Sequence, residues 1–151
     1  MPTVELSVTV NAPINRVVAI ARETSRFPEF MPDVKSIEIL EKSDDGNCQK
    51  TKWEGRIPQF NMTVRWSQEE IWSAEGTDVR SNFKQIEGDY DKMEGYWLFK
   101  PNDTGCEFIT FLDYEYNVPL VGALIKKVIH HIVEQNLKGV MMAIAARAEA
   151  A

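Results

Sequence analysis

PLVGALIKKVIHHIVEQNLKGVMMAIAARA, residues Pro119 to Ala148, is the stretch that decides the architecture. Val121, Leu124, Ile125, Val128, Ile132, Val133, Val140, Met141 and Ile144 recur in it at mostly helical spacing. A single helix of this length spans about 45 Å. What precedes it is an almost unbroken series of alternating strand patterns from Val34 to Tyr116. A long helix laid across a bent antiparallel sheet need not fill the space beneath it, so a cavity can remain between them.

The strand patterns are read by their alternation. Val4, Leu6, Val8 and Val10 form the first inward row. Asn11-Ala12-Pro13 opens a helix with apolar Val17, Ile20 and Ala21, and Pro13 suits its first position. Arg26 to Pro32 reads as a second, short helical turn whose Phe27 and Phe30 cap one end of the core. Ile37 and Ile39 mark the next strand, and Asp44-Asp45-Gly46-Asn47 signals a hairpin. In the strand after it Thr51, Trp53, Gly55 and Ile57 face inward, while Lys50, Lys52, Glu54 and Arg56 face outward. Pro58 ends that strand. The clearest row follows: Phe60, Met62, Val64 and Trp66, continuing through Gln68 and Glu70 to Trp72. Val79, Ser81 and Phe83; then Met93, Gly95, Trp97 and Phe99; then Phe108, Thr110, Leu112, Tyr114 and Tyr116 complete the sheet. With no repeat or linker, the chain reads as one domain over residues 1–151, an α+β fold with seven strands.

Composition narrows the function. The 151 residues carry a net charge of −6, against a general nucleic-acid binder, which needs clustered positive charge. From Val118 onward four cations face two anions, so this segment is +2 on a body of −8. This is either ordinary surface solvation or a weak contact with an anionic membrane or an acidic partner. Cys48 and Cys106 are far apart and form no CxxC, so neither zinc nor a redox motif is expected. No stretch of about 18 uncharged apolar residues crosses a membrane. The N-terminus opens on a strand pattern without a signal peptide, so a cytoplasmic location is expected.

Trp53, Trp66, Trp72 and Trp97, with Met62 and Met93, belong either to a filled core or to a pocket wall for a flat apolar ligand. Gln68 and Glu70 are the polar members of an apolar row. A buried Glu70 would prefer its neutral form and donate a hydrogen bond to a ligand carbonyl. Alternatively the row reaches solvent there, or a Lys or Arg pairs with Glu70. Tyr114 and Tyr116 either bond a ligand or anchor the sheet to the terminal helix. His130 and His131 diverge by about 100° around the helix and cannot share a metal. Asp89, Asp91 and Glu94 lack calcium-loop spacing and read as a solvated turn. No phosphate loop, GxSxG or activated Cys/His pair is present, so no catalytic residue, metal or cofactor is expected.

Three segments carry a resemblance. NAPINRVVAIARETSRFPEFMPDV (Asn11–Val34) resembles the opening of START-like (SRPBCC, Bet v 1-like) proteins. VRWSQEEIW (Val64–Trp72) and EGDYDKMEGYWLFKP (Glu87–Pro101) are similar to the bacterial polyketide cyclase/dehydrase and coenzyme Q-binding branch. The resemblance covers nearly the whole chain. It implies the helix-grip fold, β-α-α-β6-α, with an internal apolar cavity that binds or carries a lipid, quinone or aromatic polyketide-like compound. The implied ligand-binding set is Trp53, Met62, Val64, Trp66, Gln68, Glu70, Phe83, Met93, Trp97, Leu112, Tyr114, Leu124, Val128 and Ile132. The Phe27–Met31 turn and the Asn117–Gly122 lead-in to the helix are candidate gates. Aromatase/cyclase relatives use an inward arginine on the strand that here carries Glu70, and Arg65 has the opposite parity. That departure sets the cyclase reading second, with Glu70, Gln68 and Tyr114 as its candidates. A ribosome-associated toxin in the same branch makes a ribosome- or protein-interacting regulator the third reading.

Overall fold

The computed structural model describes residues 3–57, 61–116 and 123–150. β1 (Thr3–Val10) leads into α1 (Ile14–Arg22) and a 3₁₀ helix (Thr24–Glu29). Six strands follow: β2 (Val34–Lys42), β3 (Cys48–Ile57), β4 (Met62–Glu75), β5 (Asp78–Gly88), β6 (Lys92–Asn102) and β7 (Gly105–Glu115). The helix α2 (Ala123–Ala150) closes the chain. The sheet order is β1-β7-β6-β5-β4-β3-β2, and every pair is antiparallel. β2 through β7 is therefore a meander of neighbours, and the β1–β7 ladder sets the first strand beside the last.

Local sequence explains most of these elements. Pro13 sits one position before α1, with ψ 142°, rather than inside its first turn. Val17, Val18 and Ala21 form the buried stripe of α1, with Ile20 partly buried at its edge. The Asp44–Asn47 hairpin is held by Ser43 Oγ and the Asn47 N–H, both donating to Asp45 Oδ1 at 2.7 and 2.9 Å. Phe60, Pro58 and the Asn117–Gly122 segment lie outside the described residues.

Two devices shape the sheet beside the helix-covered space. Between Ser67 and Gln68 the β4–β5 register slips, leaving Ile86 without a partner opposite. Such bulges sharpen strand twist, and they put the extra residue outside the ladder; Ile86 is 53 % exposed. On the next strand, Gly95 pairs with Leu112. A Cβ at Gly95 would lie 2.0 Å from the Phe111 carbonyl oxygen, so only glycine lets β6 approach β7 this closely.

The concavity is filled unevenly. Met141, Ile144, Ala145 and Ala148 of α2 are buried against α1 and against Phe99 and Phe108. Those two rings stack with centroids 4.5 Å apart. The alanines keep the helix thin, so its C-terminal half seats deeply in the sheet. Toward the N-terminal half of α2 the packing separates into two smaller clusters around Met93, Leu112 and Val133, and around Ile57, Val64 and Ile132.

Two glycine substitutions test this packing in opposite directions. Gly95→Ala should lower stability by about 1–3 kcal/mol through forced overpacking. Gly139 is mid-helix, and a Cβ there would meet nothing within 4 Å, so Gly139→Ala should raise stability by about 1 kcal/mol. Urea unfolding curves on the two variants measure both.

Candidate functional site

The seven-stranded sheet and α2 enclose a cavity of about 150 Å³. Its walls are mostly apolar. Trp53, Val64, Trp66, Phe83, Met93, Trp97 and Leu112 line it from the strands, with Gln68 and Glu70 beside them. Val133, Asn136, Leu137 and Val140 line it from α2, and Tyr90 enters from the β5–β6 turn. At the rim stand exposed Asp33 and Arg56 and half-buried Asn136.

The aromatic wall is ordered by geometry. Trp53 and Trp66 are cross-strand partners, stacked with centroids 5.5 Å apart at 15°. The Trp66 ring lies over Gly55, where an added Cβ would meet it at an ordinary contact distance of 3.5 Å. Phe27 abuts Trp53 edge-on at 5.9 Å and is fully buried. It therefore plugs one end of the core, and the Phe27–Met31 turn does not border the cavity. Tyr90 meets Trp66 in a T-shaped contact with centroids 5.7 Å apart.

One step along the same two strands, the ladder turns polar. The partners Gln49↔Glu70 and Thr51↔Gln68 lie next to Trp53↔Trp66, and all four polar residues are buried. Glu70 is only 3 % exposed. Gln49 Nε2 donates to its Oε2 at 2.7 Å, and Gln68 Nε2 and Thr51 Oγ1 donate to its Oε1 at 2.8 and 3.2 Å. An indole N–H can only donate. Trp53 Nε1 donates to Thr51 Oγ1 at 2.8 Å, and Trp66 Nε1 to Gln68 Oε1 at 2.9 Å. These two bonds fix the direction of the rest: the Thr51 proton and the Gln68 amide must turn toward the carboxylate. Glu70 thus neither reaches solvent nor, among the described residues, pairs with a cation. It accepts from three donors within the sheet.

The remaining sequence candidates fall elsewhere. Met62 opens β4 at the end of its row and is 39 % exposed, off the cavity. Ile132 packs with Ile57 and Val64 beside the wall rather than in it. Val128 is also 39 % exposed; Ile129, one residue and about 100° around the axis, faces the core instead. The side chain of Leu124 lies outside the described residues. Tyr114 is 2 % exposed and bonds His130 Nδ1 through its hydroxyl at 2.9 Å, the rings stacked at 5.9 Å. This pair ties β7 to α2. Burial pushes the Tyr114 hydroxyl up to about 12, and raises Tyr90 as well, with Tyr114, Tyr116 and Asp89 adding to the effect. Arg65 faces outward against Glu54. Arg56, assigned outward by parity, reaches the cavity rim because its strand ends there.

Sequence reasoning missed Gln49, Tyr90, Ser81 as a wall residue, Asn136 and Leu137. Extending the Thr51–Trp53 alternation back by two residues would have found Gln49. Tyr90 sits in a turn, where no periodicity points at it.

The family model for polyketide cyclase/dehydrase and lipid transport proteins matches residues 10–141. The chain belongs to this family. Its fold is that of a START superfamily protein from Mycobacterium smegmatis. The protein TTHA0849 of Thermus thermophilus superposes with a TM-score of 0.89 at 28 % identity, over 99 % of this chain and 98 % of that one. The Zhui aromatase/cyclase of Streptomyces sp. R1128 superposes with a TM-score of 0.84 at 18 % identity, over 98 % and 93 % of the two chains; at that identity the likeness is one of fold. The ribosome association toxin RatA of Pseudomonas aeruginosa is 22 % identical over 121 residues, 80 % of this chain and 79 % of the toxin. No helix among the described residues of this family member is long and apolar enough to cross a membrane.

Two outcomes follow from the site. Thr51→Val removes a donor to Glu70 and the acceptor of the Trp53 N–H, and should cost about 1–3 kcal/mol in urea unfolding. For the tyrosines, folding opposes ionisation, while the unfolded chain ionises near the ordinary value of 10.0. Stability should therefore be full below pH about 10 and fall as pH climbs to about 12. Tyr114→Phe should remove part of that fall, as followed by tyrosinate absorbance and unfolding at each pH.

Proposed function

We propose that this protein binds and carries an apolar small molecule with a flat ring, held between the concave sheet and α2. The observation that carries the reading is the stacked Trp53–Trp66 pair in the wall of a cavity that α2 leaves unfilled. Indole faces suit rings, and Met93 adapts to irregular outlines. Burial of apolar area supplies most of the affinity, at about 25 cal/mol per Å² before the costs of association.

The cavity's size bears on the ligand. About 150 Å³ accommodates one benzene-sized ring and lies below the roughly 300–1,000 Å³ of common ligand pockets. A lipid, quinone or polyketide-like compound would place one ring or chain end inside, with the rest leaving past Asp33, Arg56 and Asn136. Aromatase/cyclase activity is the second reading, because Glu70 brings an acidic group into the wall. Its three donors hold that group as an acceptor, which suits orientation better than proton transfer.

Native mass spectrometry of protein purified from its own host should show a retained mass, released by solvent extraction as an apolar ring-bearing compound. Trp66→Ala should weaken affinity for that compound roughly three- to tenfold, the scale of one lost aromatic pair. Unchanged affinity would sink the assignment of the stacked pair as the binding wall.

A further inference from the structure

We infer that the cavity selects apolar molecules whose buried end bears a hydrogen-bond donor, a hydroxyl or an ammonium, and that Glu70 receives it. The inference rests on the binding reading above and concerns which ligands that same site takes.

Three features carry it. A carboxylate offers about four acceptor positions, and Gln49, Thr51 and Gln68 fill three of them. Glu70 nevertheless belongs to the cavity wall, so a ligand donor can take the position left. Second, the stacked indoles direct their N–H groups into the network, toward Thr51 and Gln68. A ligand meets the apolar surface these rings leave uncovered and not their donors. Third, charge is ordered along the cavity. The buried wall carries the acidic Glu70, while the one cationic side chain among the described lining residues, Arg56, stands at the exposed rim beside Asp33. An anionic group brings no donor for Glu70 at the inner wall and meets its one cationic partner among the described lining residues, Arg56, only at the rim. A ligand without a donor would cover Glu70 and leave its last acceptor position unmet, and sites built on buried hydrogen-bonding groups discriminate strongly for that reason.

Benzene-sized probes fit the enclosed space and separate the effects. NMR titration of the full chain, read on the tryptophan indole signals, would compare phenol with anisole and benzylamine with benzoate. Phenol should bind about tenfold tighter than anisole, the scale of one hydrogen bond. Benzylamine should bind tighter than benzoate. In Glu70→Gln both ratios should fall toward one. If that variant does not fold, the wild-type ratios still decide. The Gln49 and Gln68 side-chain amide signals report in addition whether phenol reaches the network. Equal binding of phenol and anisole, or a preference for benzoate, overturns the selectivity while leaving an apolar pocket in place. Failure of all four probes to bind, together with no retained native ligand, overturns the binding reading and this inference with it.

Discussion

An open sheet with one bare concave face cannot stand in water, and α2 is what covers it. The two edge strands, β1 and β2, do not meet, so closure comes from the helix and not from hydrogen bonding around a barrel. Met141, Ile144, Ala145 and Ala148 supply the deepest contact, against the stacked Phe99 and Phe108. Everything else depends on how far this contact extends. Where small and medium side chains seat the helix closely, there is a core. Toward Val133 and Leu137 the wide aromatic rows of β3, β4 and β6 hold space open, and there is a cavity.

Two of the features that shape the sheet lie next to the cavity's strands. The Ile86 bulge turns β5 beside Trp66 and Gln68, and Gly95 lets β6 close on β7. Both flank the cavity. The same shape that lets the sheet grip the helix therefore also sets the aromatic pair and the polar ladder at their angles to the enclosed space. Stability and site geometry share one cause here.

Inside the site, direction matters more than the number of hydrogen bonds. Two indole donors at one end and a carboxylate at the other leave a single consistent arrangement of the amide and hydroxyl between them. A buried polar network with every member so constrained is rigid, and its cost of burial is offset because its hydrogen bonds are made. That rigidity makes the Trp66 face a fixed wall and Glu70 a fixed acceptor.

The alternation of apolar and polar residues, the turn signals and the length of the terminal helix determined the element order and the inward rows by themselves, because strand and helix periods are local properties. They also brought Trp53, Trp66, Gln68, Glu70 and Trp97 to one face. Which inward residues touch open space was decided only by the tertiary structure. It sent Met62 past the edge of the cover, turned Val128 to solvent in favour of Ile129, engaged Tyr114 with His130, and folded Tyr90 in from a turn. What Glu70 meets was undecidable from β4 alone, since two of its three donors, Gln49 and Thr51, come from the neighbouring strand, about twenty residues away in sequence. A row tells which way a side chain faces; only the partner strand and the helix above tell what it meets there.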